Sequence, residues 1–477
     1  MAERKKSAFD ERMTSERLIL RTCQENGADL ATGVTQLGPP TIPNPVSEAE
    51  IGAYRLPEAR KLATADAEVI DWYYAHGRKP PAFLEAGPRA MLFFHPETVR
   101  AAILTSGGLA PGMNSVVHAI VARHWNTYSI NESRHGGVFG INDGLFGLLS
   151  TTPDFRKLKP EDTEPWLDHG GCPLGALRHD KLKKADYTRI ARKLAWLEIE
   201  VLYVIGGDGS LTVAHGIAQA AKGISVVGIP KTMDNDILWV WQSFGFNSAV
   251  QKATEVVNTL HAEAEATRRA GIIELFGAES GSVAANATLA SGHVDLVMVP
   301  EAFLPLETNR YEALLNAYID HLIRRMREQQ QAPHLVIVLA EGVGTLLEQE
   351  GVRLGGQPVK GKEFATQLRA FLAGKLINRR RRAADVFVNQ PRHYVRAIPA
   401  NAFDQTYCAR LGALAVDNAL AGYTDFMISQ WLTEYVLVPL ALVVAGKKSI
   451  PPGGIFWKQV VKSTGQPSHP PGSPAGG

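Results

Sequence analysis

Gly206-Gly207-Asp208-Gly209-Ser210 and Pro230-Lys231-Thr232-Met233-Asp234-Asn235-Asp236 each follow an apolar run, Val201-Leu-Tyr-Val-Ile205 and Ile224-Ser-Val-Val-Gly-Ile229 respectively. Both runs have the length and composition of buried strands. Leu211 to Lys222 between them reads as a helix. The unit is therefore strand–loop–helix–strand–loop, the building block of a parallel α/β sheet, in which ligands bind beyond the carboxyl ends of the strands. Glycines in the first loop let backbone N–H groups approach a phosphate, and Asp208 among them suits a Mg²⁺ ion carried by that phosphate. The second loop holds two carboxylates, a hydroxyl and a lysine within six residues, the equipment of phosphoryl transfer. Either loop alone also describes an ordinary βα turn, where Gly and Asp serve positive φ and helix capping. Their succession on consecutive strands is what selects the phosphate reading.

Working outward, Ala101-Ala-Ile-Leu104 is another strand, followed by Thr105-Ser-Gly-Gly-Leu-Ala-Pro-Gly-Met-Asn114. A glycine loop feeding a helix is an anion site by geometry, although a generic turn has the same look. Leu335-Val-Ile-Val-Leu-Ala340 is a buried-type strand ending at Glu341, a carboxylate suited to sugar hydroxyls or simply a charge at the rim. Arg379 to Arg382 is a basic run that fits a solvated face, an interface or an anion site.

The chain has 477 residues, with 50 Lys+Arg against 48 Asp+Glu. That length predicts more than one domain. The near balance of charge gives no electrostatic case for nucleic acid or for an acidic membrane surface. Cys23, Cys172 and Cys408 are scattered without metal-ligand spacing, as expected of free thiols in a reducing cytoplasm. No apolar stretch has the length of a membrane span. No Walker A or protein-kinase pattern is present.

Taken together, the loops resemble those of the phosphofructokinase family, which phosphorylates the 1-hydroxyl of fructose 6-phosphate; the resemblance runs from about residue 97 to 465. It implies an α/β fold of two doubly wound domains with the active site in the cleft between them, plus an N-terminal extension over 1–95. The nucleotide-binding domain would span 96–265, completed by 398–432. The sugar-phosphate domain would span 266–397, completed by 433–465, with a disordered tail over 466–477. The family pattern makes Asp234 the general base, with Asp236 orienting groups or holding metal. Thr232 would bind sugar or phosphate, and Lys231 would neutralise developing charge. Gly107, Gly108, Gly207, Asp208, Gly209 and Ser210 would cradle ATP, with Asp208 on Mg²⁺ and Arg178 on the nucleotide phosphates. Phe276, Gly277, Glu341, His393 and Arg396 would bind the sugar phosphate. Arg269 would reach it from a neighbouring subunit, implying a homo-oligomer, dimer or tetramer.

Two departures leave choices open. Gly209 with Lys231 is a mixed signature in a family whose donor is ATP or pyrophosphate; Gly209 leaves room for an α-phosphate, which favours ATP, while Val213 narrows the same pocket. Phe276-Gly277-Ala278 stands where the family has Met-Gly-Arg. The lost guanidinium implies another cation, another acceptor such as sedoheptulose 7-phosphate, or a catalytically silent regulatory subunit. The favoured reading is ATP-dependent 6-phosphofructokinase.

Overall fold

The computed structural model describes residues 12–470 apart from 52, 153, 178–181, 330–332 and 377–383. The chain first lays down β1 (Arg60–Leu62), β2 (Ala82–Glu85), β3 (Arg100–Thr105), β4 (Gly137–Ile141), β5 (Phe155–Leu158), β6 (Val201–Gly206) and β7 (Ser225–Pro230). It then builds a second sheet from β8 (Ala270–Leu275), β9 (Leu296–Met298), β10 (Leu335–Ala340) and β11 (Val386–Asn389). Finally it returns to the first sheet with β12 (Phe426–Trp431) and β13 (Glu434–Pro439). The first sheet runs β1-β2-β13-β12-β7-β6-β3-β4-β5. It is parallel from β12 to β4 and antiparallel at both flanks. The second, β9-β10-β8-β11, is parallel throughout.

The helices that hold the site are α1 (Met113–Ala122), α2 (Asp208–Ala220), α3 (Phe246–Thr267), α4 (Glu341–Gln349), α5 (Ala402–Leu420) and α6 (Ile455–Thr464). Successive residues of a strand point to opposite faces, and the central strands show why an unbroken apolar run is needed here. Val201, Tyr203 and Ile205 pack into a core with residues of α1 and α5. Leu202 and Val204 pack into another with residues of α2. Both faces of the parallel sheet are covered, so every position is apolar.

Three boundaries differ from the sequence reading. Residues 60–85 are no appendage: β1 and β2 extend the first sheet through β13, and the buried Glu16 accepts the Trp239 backbone N–H at 3.2 Å. Glu434–Pro439 likewise stays in the first sheet, paired antiparallel with β12. The crossing to the second core comes later, where Ile450, Trp457 and Val460 are buried among its residues. Gln466 does not begin a disordered tail. It is buried, accepting from the Val297 N–H at 2.8 Å and donating to the Val297 carbonyl at 2.9 Å. Its primary amide serves the exposed edge of β9 as a neighbouring strand would. Arg379–Arg382 and residues 471–477 lie outside the described residues. Among the described residues no helix is long and apolar enough to cross a membrane.

Candidate active site

The carboxyl ends of β3, β6 and β7 face those of β8 and β10 across a cleft of about 1230 Å³. One wall carries Gly107, Gly108, Gly207, Asp208, Gly209, Ser210, Lys231, Thr232, Asp234 and Asp236. The facing wall carries Phe276, Gly277, Glu341 and Arg396. Both loops of the opening motif therefore line one space with most of the acceptor candidates.

On the first wall the glycine-rich segment is partly helix. α2 starts at Asp208 with Gly207 as its cap, three residues earlier than the apolar pattern suggests. An acidic residue is favoured there by the helix dipole, and the free N–H groups of the same turn are donors for an anion. Lys231 continues the sheet ladder, donating its N–H to the Gly206 carbonyl at 2.9 Å. Its buried ammonium donates to the Gly108 carbonyl, tying the loops of β3, β6 and β7 together. Gly107 sits at φ +86°, and a Cβ there would stand 3.2 Å from the Lys231 Nζ. The positive φ is what calls for glycine there. A Cβ on Gly209 would meet nothing within 4 Å, so the space beside the first turn of α2 is open.

The second loop is held by its backbone. The Asp234 N–H donates to Thr232 Oγ1 at 3.0 Å, Ser243 Oγ donates to the Thr232 carbonyl at 2.7 Å, and Ser280 Oγ donates to the Asp234 carbonyl at 3.0 Å. The last bond comes from the second domain. Lys448 also pins the loop, its N–H donating to the Asp236 carbonyl at 2.8 Å and its ammonium to Asn235 Oδ1 at 2.9 Å. Burial pushes that ammonium down to about 8. Asp236 is 9 % exposed, and its Oδ1 has no hydrogen-bond partner among the described residues. Burial first, and then the charge of Asp208, raise its carboxyl above the ordinary value. Two carboxylates that repel one another, one with a buried free oxygen, fit a divalent cation held jointly with substrate phosphates. No group of three or more acidic, His or Cys ligands occurs among the described residues. The pair therefore suits Mg²⁺ arriving with a phosphate better than an all-protein metal cage.

On the facing wall, Glu341 opens α4 rather than ending β10. Its neighbour Gly342 donates to the Gly277 carbonyl at 2.9 Å. Gly277 adopts φ +140°, and a Cβ there would stand 2.1 Å from the Ser280 carbonyl oxygen, so it shapes a turn. Arg392 and Arg396 sit i, i+4 on one short helix and both line the cleft; His393, between them, is exposed beside Tyr394 and is not among the residues that line it. The Arg396 guanidinium lies 4.8 Å from the Phe276 ring centroid. That stack holds in place, at low entropic cost, a guanidinium fork of the shape that suits phosphate. Phe276→Ala is accordingly expected to raise the KM for the phosphorylated acceptor about three- to ten-fold with kcat nearly unchanged, the effect of losing about 1 kcal/mol of such a contact. Steady-state kinetics at saturating donor would check it.

Glu274, Lys362, Arg392 and Lys447 line the cleft without having been singled out by motif. The i, i+4 spacing of Arg392 with Arg396 is a signal only once a helix is known to run over them. Burial, and also the charge of Glu341, push the Glu274 carboxyl up; Gln390 and Arg392 oppose this. A carboxyl raised in the folded state favours folding more as protons become available. The melting temperature of wild type should therefore rise relative to Glu274→Gln, by about 2 °C, as pH falls from neutral through the raised value to the ordinary carboxylate range. Thermal melts of both proteins across that range test the sign.

Arg269 does not reach this cleft. It precedes β8, at the amino end of a strand whose carboxyl end forms the site, and pairs with Asp385 at 3.3 Å. Arg178 lies outside the described residues.

Residues 100–419, which take in both walls up to Arg396, match the family described as Phosphofructokinase. The "ATP-dependent 6-phosphofructokinase" of Borreliella burgdorferi is 35% identical over 400 residues, covering 80% of this chain and 85% of that protein. Arabidopsis thaliana "ATP-dependent 6-phosphofructokinase 4, chloroplastic" is 30% identical over 442 residues, covering 90% of this chain and 79% of that one. Among solved structures, a pyrophosphate-dependent phosphofructokinase from Marinobacter aquaeolei superposes with a TM-score of 0.60 at 18% identity, covering 79% and 94% of the two chains. Phosphofructokinase from Saccharomyces cerevisiae does so with 0.56 at 23%, covering 77% of this chain and 47% of that one. These two likenesses concern the fold, whereas the sequence matches span the loops that line the cleft, and on that ground the chain belongs to the phosphofructokinase family.

Proposed function

We propose that this protein is an ATP-dependent 6-phosphofructokinase, moving the γ-phosphoryl group of ATP to the 1-hydroxyl of fructose 6-phosphate. The observation that carries this reading is the position of Asp234 and Lys231 at the carboxyl end of β7, between the glycine loops of one domain and the Arg396–Glu341 wall of the other. A donor phosphate on the glycine loops and a phosphorylated acceptor on the arginines would meet at the loop that holds the base. Asp234 takes the proton of the acceptor hydroxyl as its oxygen bonds to the γ-phosphorus. The bond from that phosphorus to the β,γ-bridging oxygen breaks, and ADP leaves with the electron pair. Lys231 balances charge from beneath the loops, and Glu341 accepts from sugar hydroxyls. Asp208 and Asp236 would hold Mg²⁺, which when bound neutralises the donor phosphates. Lining of the cleft by both domains supports exclusion of water as a competing acceptor.

ATP rather than pyrophosphate is supported by the open space at Gly209 and by the names of the relatives in sequence. A homo-oligomer is supported by Arg269, which lies at the far end of its strand from the cleft of its own chain. A cytoplasmic enzyme without nucleic-acid or membrane partners is the setting this chemistry fits. The test is turnover by purified protein with fructose 6-phosphate and Mg²⁺, comparing ATP with pyrophosphate and sedoheptulose 7-phosphate as alternative acceptor. Turnover with ATP at least tenfold above pyrophosphate is expected. Preference for pyrophosphate or for the seven-carbon acceptor would replace the respective half of the reading, and no turnover would sink it.

A further inference from the structure

Lys447 lies on the strap that carries the chain from the first domain to α6, beyond the stretch that matches the family. Its ammonium stands 3.0 Å from Asp208 Oδ2 on the donor wall and is hydrogen-bonded to Glu279 on the other wall. The two carboxylates hold the ammonium between the walls of the cleft. Among the described residues the other cations of the cleft sit elsewhere, Lys362 on a short helix packed against α4 of the facing wall. Lys231 is fixed to the Gly108 carbonyl, Lys448 to Asn235 and two carbonyls, and Arg392 and Arg396 belong to the acceptor end. Asp208 is also one of the two carboxylates that suit a divalent cation. It cannot serve both an ammonium and that cation at full strength.

We infer that Lys447 is a catalytic residue of the phosphoryl transfer proposed above: its ammonium leaves Asp208 for the oxygens of the transferring phosphoryl group, and Asp208 would then be left to hold a phosphate-borne divalent cation. Asp208 and the phosphoryl oxygens are both anionic, so the ammonium keeps an anionic partner throughout. Glu279 keeps the lysine tethered during the exchange. It is the neighbour of Ala278, which lines the same cleft and brings no charge of its own. A group that meets the phosphoryl oxygens as charge develops should act on kcat more than on donor KM.

The inference rests on the kinase reading, and the test separates the two. Wild type, Lys447→Met, Lys447→Arg and the double variant Lys447→Met with Ala278→Arg are compared. Measurements are kcat and KM with ATP and fructose 6-phosphate, melting temperature, and calorimetric affinity for Mg²⁺ and ADP with and without aluminium fluoride, a phosphoryl mimic. Lys447→Met should lose about 10²–10³-fold in kcat with ATP KM changed less than about three-fold. It should also lose most of the fluoride-dependent gain in ADP affinity while melting normally. Lys447→Arg, and the arginine supplied at 278 from the facing wall, should restore at least a tenth of both. A kcat for Lys447→Met within about three-fold of wild type overturns the inference, as does a parallel loss of melting temperature that neither arginine repairs. If wild type lacks turnover, the kinase reading fails. The fluoride-dependent affinity then decides on Lys447 alone, and its absence in wild type or its persistence in Lys447→Met overturns the inference.

Discussion

Asp234→Asn is expected to reduce kcat by about 10²–10⁴-fold, the usual worth of a positioned general base, while KM for ATP and for fructose 6-phosphate stays within about three-fold. The separation follows from how the loop is built. Its shape depends on the Asp234 N–H bonded to Thr232 Oγ1, the Asp234 carbonyl bonded to Ser280 Oγ, and the Lys448 ammonium on Asn235. None of these uses the Asp234 carboxylate, and asparagine has the same shape. Melting temperature should therefore be unchanged. Steady-state kinetics with a circular-dichroism melt check both halves, and turnover within tenfold of wild type would remove Asp234 from the role of base.

Gly209→Asp is expected to lower kcat/KM for ATP by about 10²-fold without harming the fold. A Cβ at this position meets nothing within 4 Å, so the side chain enters open cleft rather than the core. It also falls in the first turn of α2, where a carboxylate is favourable by a few tenths of a kcal/mol to about 1 kcal/mol. The melting temperature should hold or rise. The carboxylate would, however, stand where the proposed reading seats the inner phosphates of ATP, and like charges brought together in a confined site cost several kcal/mol. Pyrophosphate, with no third phosphate or nucleoside to seat, should be hurt less. Parallel kinetics with both donors read this out; equal loss for the two would mean that Gly209 does not govern donor choice.

How much of this was legible beforehand follows from the range of each interaction. The apolar runs 201–205 and 224–229 mark the two central strands because burial on both faces writes every position in apolar residues. The glycines and carboxylates that follow them are local signals as well, and nearly all of them line the cleft. The helix that begins at Asp208, not Leu211, was obscured because its first turn is written in loop residues, Gly and Ser among them. β13 was assigned to the wrong domain since a strand's text does not name its neighbour: antiparallel pairing to β12 is decided by a tight turn and by β2 on the other side.

The sequence by itself determined the class of fold, the glycine-rich loops at the carboxyl ends of β3, β6 and β7, and the carboxylate loop that follows β7. These depend on residues a few positions apart, whose backbone period and side-chain chemistry can be read in place. Only the tertiary structure decided that Arg392 joins Arg396 in lining the cleft while His393 does not, that Arg269 lies at the far end of its strand, and that Phe276 stacks on Arg396. It alone brought Lys447 between Asp208 and Glu279, and set Gln466 against β9, 169 residues distant. Such contacts cost chain entropy that is recovered only when both domains have folded, and a linear pattern carries no trace of which distant partners will recover it.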